Sequence, residues 1–384
     1  MFAINAFLEP LCRLYGWSRT DIATSLAIGS LCSVISVTLL GSLCRRVSLR
    51  LLMTLGALIG GLSYSFLGQT ADWGLFTLLL TLIWVCGQLC GGCIGNVLIC
   101  KWFSRHRGRA MGVANMGTSL SGALLPFAAL ILIQQFSVGA AYVLFGLSVL
   151  ALAPLCWLVV RNLPEDAGLH ADGLPSPPNQ PAASRILPLS ELLKQPRFII
   201  VGLSMGIGLM AAAGVMSQMK PRFVQLGFGD YTAMSLMCLS ALCAAVGKYC
   251  WGTLCDRFGS PKTARLLLLA NIAGLSVAFL PSSFANILLF SVAYGAAFGG
   301  FWTVFPALIA HIYGPDRFLS VYRYAYLFVL IQTFGYWVMG FSFDAFGSYQ
   351  PAYLFFLAAL CVAFALFCCL RAAEREPVCR HAAH

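Results

Sequence analysis

The sequence predicts an all-α membrane protein of twelve helices, arranged as two six-helix bundles related by pseudo-twofold symmetry. Three observations predict it: an apolar surplus too large for a soluble chain, a succession of membrane-length apolar segments, and a motif that recurs once in each half. Sixty per cent of the 384 residues are apolar and ten per cent are charged, against roughly 25% charged in soluble domains. Such a chain must carry much of its apolar surface on its exterior, which a bilayer tolerates and water does not.

A membrane-crossing helix needs about 20 mostly apolar residues. Eleven segments meet or approach that length: 21–43, 51–68, 74–99, 109–133, 139–160, 198–218, 231–253, 263–281, 284–312, 318–342 and 351–370. Turn and breaker residues separate them, among them Asp72, Pro164, Pro221, Pro261 and Pro315. Met1–Leu14 is apolar, yet as a helix it spans only roughly 21 Å, short of a hydrocarbon core of about 30 Å. It lacks the basic start and the cleavage site of a signal peptide, and reads as the outer half of a truncated first helix. With that half the count is twelve, six in each half. The stretch 161–197, rich in proline and polar residues, reads as a linker. It separates an N-terminal bundle, 1–160, from a C-terminal bundle with a short tail, 198–384.

Charge then sets orientation. If alternate connections share one side, then 41–50, 101–109, 161–197, 257–265, 315–323 and the tail from Arg371 hold 19 of the 24 Lys and Arg residues. The other side holds Arg13, Arg19, Lys220 and Arg222, and Lys248 lies inside a helix. The positive-inside rule places the linker and the C-terminus in the cytoplasm of a cell that carries the chain in its inner or plasma membrane. The same cations face anionic lipid headgroups, which accounts for the net charge of +11 without nucleic acid.

Chemistry of other kinds finds little support. Most of the sixteen cysteines sit inside apolar runs, where they behave as small hydrophobes. Cys90 and Cys93 form a C-x-x-C, but they lie in the small-residue run Gly87–Gly95 and read as helix packing. No metal site, cofactor, nucleotide-phosphate loop or catalytic constellation is expected, and an enzyme is not expected.

The repeated motif narrows the reading. Gly41-Ser-Leu-Cys-Arg-Arg-Val-Ser-Leu-Arg50 and Gly252-Thr-Leu-Cys-Asp-Arg-Phe-Gly-Ser-Pro-Lys262 each follow the second long helix of their half, 211 residues apart. Internal repeats of this kind mark transporter folds. The second copy resembles the G-x-L-x-D-R-x-G-x-x-[KR] signature of the major facilitator superfamily and is intact from Gly252 through Gly259. The first copy has Arg45 at the acid position and Ser48 at the second glycine. Tyr15-Gly-Trp-Ser-Arg19 and Lys101-Trp-Phe-Ser-Arg-His-Arg-Gly-Arg-Ala-Met-Gly112 resemble stretches of monocarboxylate-transporter-like members. Asn162-Leu-Pro-Glu-Asp-Ala-Gly-Leu-His-Ala-Asp-Gly173 is similar to a stretch of their oxalate/formate-exchanger relatives. The resemblance spans essentially the whole chain. It implies the major-facilitator-type twelve-helix fold and alternating-access transport of a small organic anion, by uniport, symport or exchange.

Lys248 is the sharpest single feature. A charge at a helix centre costs roughly 2.5–3.5 kcal/mol on insertion scales, so it usually turns to a polar cavity. The competing reading is snorkelling, its stem reaching the interface near Gly252. The resemblance favours the cavity, since these carriers place a cation here to meet substrate carboxylate, typically Arg; Lys is a point charge rather than a fork. Only one further cation, Arg323, lies in the eleventh helix, close to its end, where it reads as a gate or interface residue. One central cation favours a monocarboxylate over a dicarboxylate.

Tyr64, Gln88, Asn115, Trp302, Gln332 and Tyr336 are candidates to line the cavity, as are Tyr142 and Tyr326, although each alone is more often a helix–helix hydrogen-bond or packing residue than a ligand. By resemblance Gly252, Asp256, Arg257 and Gly259 form a hinge, with Asp256 facing the start of the fifth helix near Arg109. Arg45 cannot play the acid's part and would pair with Asp316 instead. The expected partners are a small organic anion and the lipid bilayer, with the chain as a monomer. Two alternatives stand beside this reading: a carrier of the same fold for a neutral solute, and a non-transporting or truncated relative.

Overall fold

A computed structural model describes residues 4–44, 46–173 and 187–373. Arg45, the middle of the linker and the basic residues of the tail beyond 373 lie outside the described residues. The first eight helices are α1 (Ile4–Tyr15), α2 (Arg19–Leu43), α3 (Leu49–Leu67), α4 (Trp73–Cys90), α5 (Cys93–Trp102), α6 (Arg107–Gln135), α7 (Val138–Leu150) and α8 (Leu152–Val159). After them come α9 (Leu189–Leu193), α10 (Pro196–Ser217), α11 (Met219–Gln225), α12 (Asp230–Phe258), α13 (Ser260–Ser276), α14 (Phe284–Phe298), α15 (Phe301–Tyr313), α16 (Pro315–Ala325), α17 (Gln332–Phe346) and α18 (Gln350–Ala373).

Local chemistry sets many of these boundaries. Ser18, Ser48, Asp72, Ser137 and Ser283 each accept a backbone N–H with the side chain at the start of the helix that follows, as N-caps do. Among the described residues, eleven spans are long and apolar enough to cross a membrane. They match the eleven segments read from the sequence one for one. The fold is the all-helical one expected, and α1 is the short piece before the first full span.

Several of these spans are interrupted. The span Trp73–Trp102 breaks at Gly91 and Gly92, and Phe284–Tyr313 breaks at Gly299 and Gly300. Pro315–Phe346 passes through a 3-10 turn at Tyr326–Ile331. Breaks of this kind leave backbone groups that must be satisfied by neighbouring helices or a wet cavity.

The chain divides into two compact units. One comprises Met1–Ile186 with Ile309–Leu327, the other Leu187–Leu308 with Phe328–His384. In the first unit α3 packs against α4, α7 and α8, and α2 against α4. Its core gathers Phe7, Leu11, Ile22, Leu67, Phe76, Leu80 and Tyr142, with Phe7 stacked on Tyr142 at 4.1 Å between ring centres. In the second unit α10 packs on α17 and α18, and α12 on α14. Small residues allow the α12–α14 approach, as membrane helices require in place of a hydrophobic driving force. A side chain at Gly247 would strike the Ala296 backbone, and one at Gly295 the Ser240 backbone. The Ser240 hydroxyl donates to the Ser291 carbonyl at 2.8 Å, and Trp251 Nε1 donates to the Ala296 carbonyl at 2.9 Å.

Candidate functional site

In the second unit Lys248 sits on α12, one residue past Gly247, and is 2% exposed. Ala244, Ala245 and Gly247 around it are buried as well. The α12–α14 contact fixes this stretch of helix, so the ammonium is carried on a rigid element. Gly252 is buried one turn further on, Asp256 is half-buried and Arg257 is exposed. Gly259 ends α12 and starts α13 with φ +83°, a conformation that L side chains rarely adopt. The chain is therefore turned here by glycine, and the next residue, Ser260, donates its hydroxyl to the Ala307 carbonyl at 3.3 Å. Trp302 and Gln332 are half-buried, each near the start of its helix directly after a helix break, while Tyr336 is 50% exposed.

In the first unit the structure draws several polar groups together. Gln88 Nε2 donates to the Ser33 hydroxyl at 3.1 Å and to the Tyr326 hydroxyl at 3.0 Å. Asn96 Nδ2 donates to the Tyr322 hydroxyl at 3.3 Å. Tyr322 stacks on Phe318 at 4.8 Å and meets Tyr326 edge-on at 5.7 Å. Arg323, beside them on α16, is 8% exposed. It donates to the Ser42 hydroxyl at 3.1 Å and to the Tyr324 hydroxyl at 2.8 Å.

The remaining candidates have the following surroundings. Tyr64 is half-buried near Tyr142 and Phe145, at 6.1 and 6.4 Å between ring centres. Asn115 donates Nδ2 to the Met111 carbonyl at 2.9 Å within its own helix. Arg109 and Asp316 are exposed, and Arg45, with its expected pairing to Asp316, lies outside the described residues. Sequence reasoning missed Ser33, Ser42, Asn96 and Tyr322. Asn96 was the available signal, an amide inside an apolar run.

At the end of the first unit that carries the basic connections, two of the quoted motif stretches meet. The Asp172 carboxylate accepts the backbone N–H of Ser104 at 2.8 Å and that of Arg105. Trp102 Nε1 donates to the Arg161 carbonyl at 3.2 Å. Asn162 Oδ1 accepts the Arg50 backbone N–H at 3.2 Å, and the Arg50 guanidinium lies over the Trp157 ring at 4.3 Å while Nε donates to the Trp157 carbonyl. The start of the linker is thus fastened to the loop between α5 and α6.

Comparison with known proteins agrees with this architecture. The chain is 24% identical to monocarboxylate transporter 12 of Mus musculus over 283 residues, 67% of this chain and 58% of that protein. It is 29% identical to monocarboxylate transporter 11 of the same species over 179 residues, 46% of this chain and 38% of that protein. The apicoplast pyruvate carrier 1 of Toxoplasma gondii is 30% identical over 101 residues, 25% of this chain and 18% of the carrier. The chain therefore spans under two thirds of the length of these curated relatives. Among solved structures, the E. coli fucose:proton symporter superposes with a TM-score of 0.69 at 18% identity, covering 95% of this chain and 94% of that one. The human organic anion transporter MFSD10 superposes with a TM-score of 0.63 at 16% identity, covering 95% and 89%. Both likenesses concern the fold. The family model of the Major Facilitator Superfamily matches residues 1–243 and 220–380, and with the eleven membrane-length helices in two units this chain belongs to that superfamily of membrane transporters.

Proposed function

We propose that this chain carries a small organic anion, of the monocarboxylate class, across a cell membrane by alternating access, with Lys248 as the charge that meets the carboxylate. The observation that carries the reading is Lys248 itself, a cation 2% exposed within a membrane-length helix. A buried cation in a span is expensive and is kept where it serves an ion or substrate path. The names of the sequence relatives, monocarboxylate transporters 11 and 12 and a pyruvate carrier, support the same substrate class. Trp302, Gln332, Tyr336, Tyr64, Gln88 and Asn115 are the further proposed substrate-binding residues. Aromatic walls with one cation suit a small anion with an apolar body.

Gly252, Asp256, Arg257 and Gly259, with Arg109, Arg323, Arg45 and Asp316, are the proposed gating residues. The distribution of Lys and Arg supports a cytoplasmic C-terminus and linker. The test is uptake of labelled lactate and pyruvate into proteoliposomes. Lys248→Ala should lower uptake at least tenfold, and Lys248→Arg should keep a measurable part of it. Uptake unchanged in Lys248→Ala would remove the anion site.

A further inference from the structure

At the far end of α12 from Gly259, the second unit holds a buried guanidinium that the transport reading does not use. Arg222, on α11, is 9% exposed. Its Nη2 donates to the Ala278 carbonyl at 2.7 Å. The guanidinium lies over the Tyr353 ring at 3.7 Å and faces the Phe290 ring at 5.7 Å. These groups hold it in place but do not neutralise it. A guanidinium has five N–H donors in a rigid fork, of which one carbonyl takes one, and aromatic faces offer attraction without a counter-charge. Among the described residues Arg222 has no carboxylate partner. The nearby acid, Asp230, is engaged by Lys220 at 2.9 Å.

Arg222 also lines a narrow cleft with Val277, Ala278, Ser282, Asn286 and Phe290, open to solvent and with room inside for about one water-sized group. No acidic residue lines that cleft. A buried cation is normally paired, and a fork of N–H donors on an uncharged cleft matches the two oxygens of a carboxylate or phosphate. Ser282 at the rim adds a hydroxyl of the kind that fixes such an oxyanion, while the Asn286 side-chain amide already donates to the Pro281 carbonyl at 2.9 Å.

We infer that this cleft binds an oxyanion, with Arg222 as its charged ligand, independently of Lys248. The oxyanion chemistry is shared by a soluble carboxylate and by a lipid phosphate, and the experiment separates the two. The full chain is purified in neutral detergent, both as wild type and as Lys248→Ala, so that the proposed transport site contributes nothing in the second case. Thermal unfolding is followed against sodium acetate, with sodium chloride as control, and against short-chain phosphatidylglycerol, with phosphatidylcholine as control. Saturable stabilisation by acetate or by phosphatidylglycerol is expected to survive Lys248→Ala. The midpoint should rise at least tenfold in Arg222→Gln and in Ser282→Asp, and less in Arg222→Lys.

Stabilisation by acetate identifies a soluble carboxylate as the ligand, and stabilisation by phosphatidylglycerol alone identifies the lipid. Ser282→Asp places an anion at an exposed rim position and leaves Arg222 intact, so it decides the matter if Arg222→Gln does not fold. Absence of stabilisation by both probes, or stabilisation unchanged in Ser282→Asp and Arg222→Gln, would overturn the inference. Loss of uptake in Lys248→Ala bears on the transport proposal alone.

Discussion

Arg323 occupies the space beside Gly41: its aliphatic stem lies where a side chain at position 41 would have to sit, and its guanidinium reaches the Ser42 hydroxyl at 3.1 Å. The first two residues of the N-terminal motif copy are therefore used, one by its lack of a Cβ and the other by its hydroxyl. Both act on the same arginine of α16.

Gly41→Ala should displace Arg323 and destabilise the first unit by about 1–3 kcal/mol, the usual cost of overpacking. Because the collision is with a side chain, Arg323→Ala in the same chain should recover most of that loss. A double-mutant cycle on thermal unfolding measures the coupling. Additive effects of the two substitutions would show that the groups do not meet.

Glycines in the second unit sort by what faces them. A Cβ at Gly247 would meet the Ala296 backbone, which has no rotamer to yield, whereas a Cβ at Gly340 in α17 meets open space. Gly247→Ala should cost about 1–3 kcal/mol by forcing α12 and α14 apart. Gly340→Ala should be neutral or should gain up to about 1 kcal/mol through helix propensity. Melting temperatures of the two variants, measured side by side in one detergent, test the contrast. The same separation of α12 from α14 would disturb Lys248, so Gly247→Ala should also depress uptake.

Asp172 holds the linker to the α5–α6 loop from a backbone conformation with φ +58°. Asp172→Ala removes the acceptor for Ser104 and Arg105 and leaves a Cβ in the left-handed region. Asp172→Gly removes the acceptor but relaxes the backbone. Both should speed amide exchange at Ser104 and Arg105 by about tenfold, the equivalent of roughly 1.4 kcal/mol, and Ala should be the worse of the two. Unchanged exchange in both variants would show that Asp172 does not hold the loop.

How far these relationships could be read from the sequence depends on their range. The bilayer imposes a length on every span, so the positions of the eleven membrane helices follow from local composition alone. The N-caps at Ser18 and Asp72 are equally local. Cys90 and Cys93 were read as packing residues, and the structure gives both as free thiols, Cys93 buried and Cys90 against the Met53 carbonyl at 3.7 Å. The link of Gln88 to Tyr326, that of Asn96 to Tyr322 and the seat of Arg323 on Gly41 join residues more than 200 positions apart. No periodicity encodes such partners. Asp172 illustrates the same limit at shorter range: its motif was visible, yet the loop it caps lies 68 positions upstream.

The start of α2 offers a prediction in pH. Ser18 and Asp21 form a reciprocal cap, the Ser18 backbone N–H donating to the Asp21 carboxylate at 2.9 Å and the Asp21 N–H to the Ser18 hydroxyl at 3.1 Å. Hydrogen bonds from the Ser18 hydroxyl and backbone N–H hold the Asp21 carboxyl below its ordinary value. A carboxyl that titrates lower in the folded state stabilises the fold above its unfolded value, near pH 3.9. That contribution is lost as the pH falls through the lowered folded value. Amide exchange in the first turn of α2, corrected for intrinsic rates, should therefore show constant protection from pH 7 to about pH 4 and a decline below it. Asp21→Asn should show weaker protection with no acid limb. A variant that keeps the same acid limb as the wild type would place the titration on some group other than Asp21 and would remove the carboxylate from the cap's energetics.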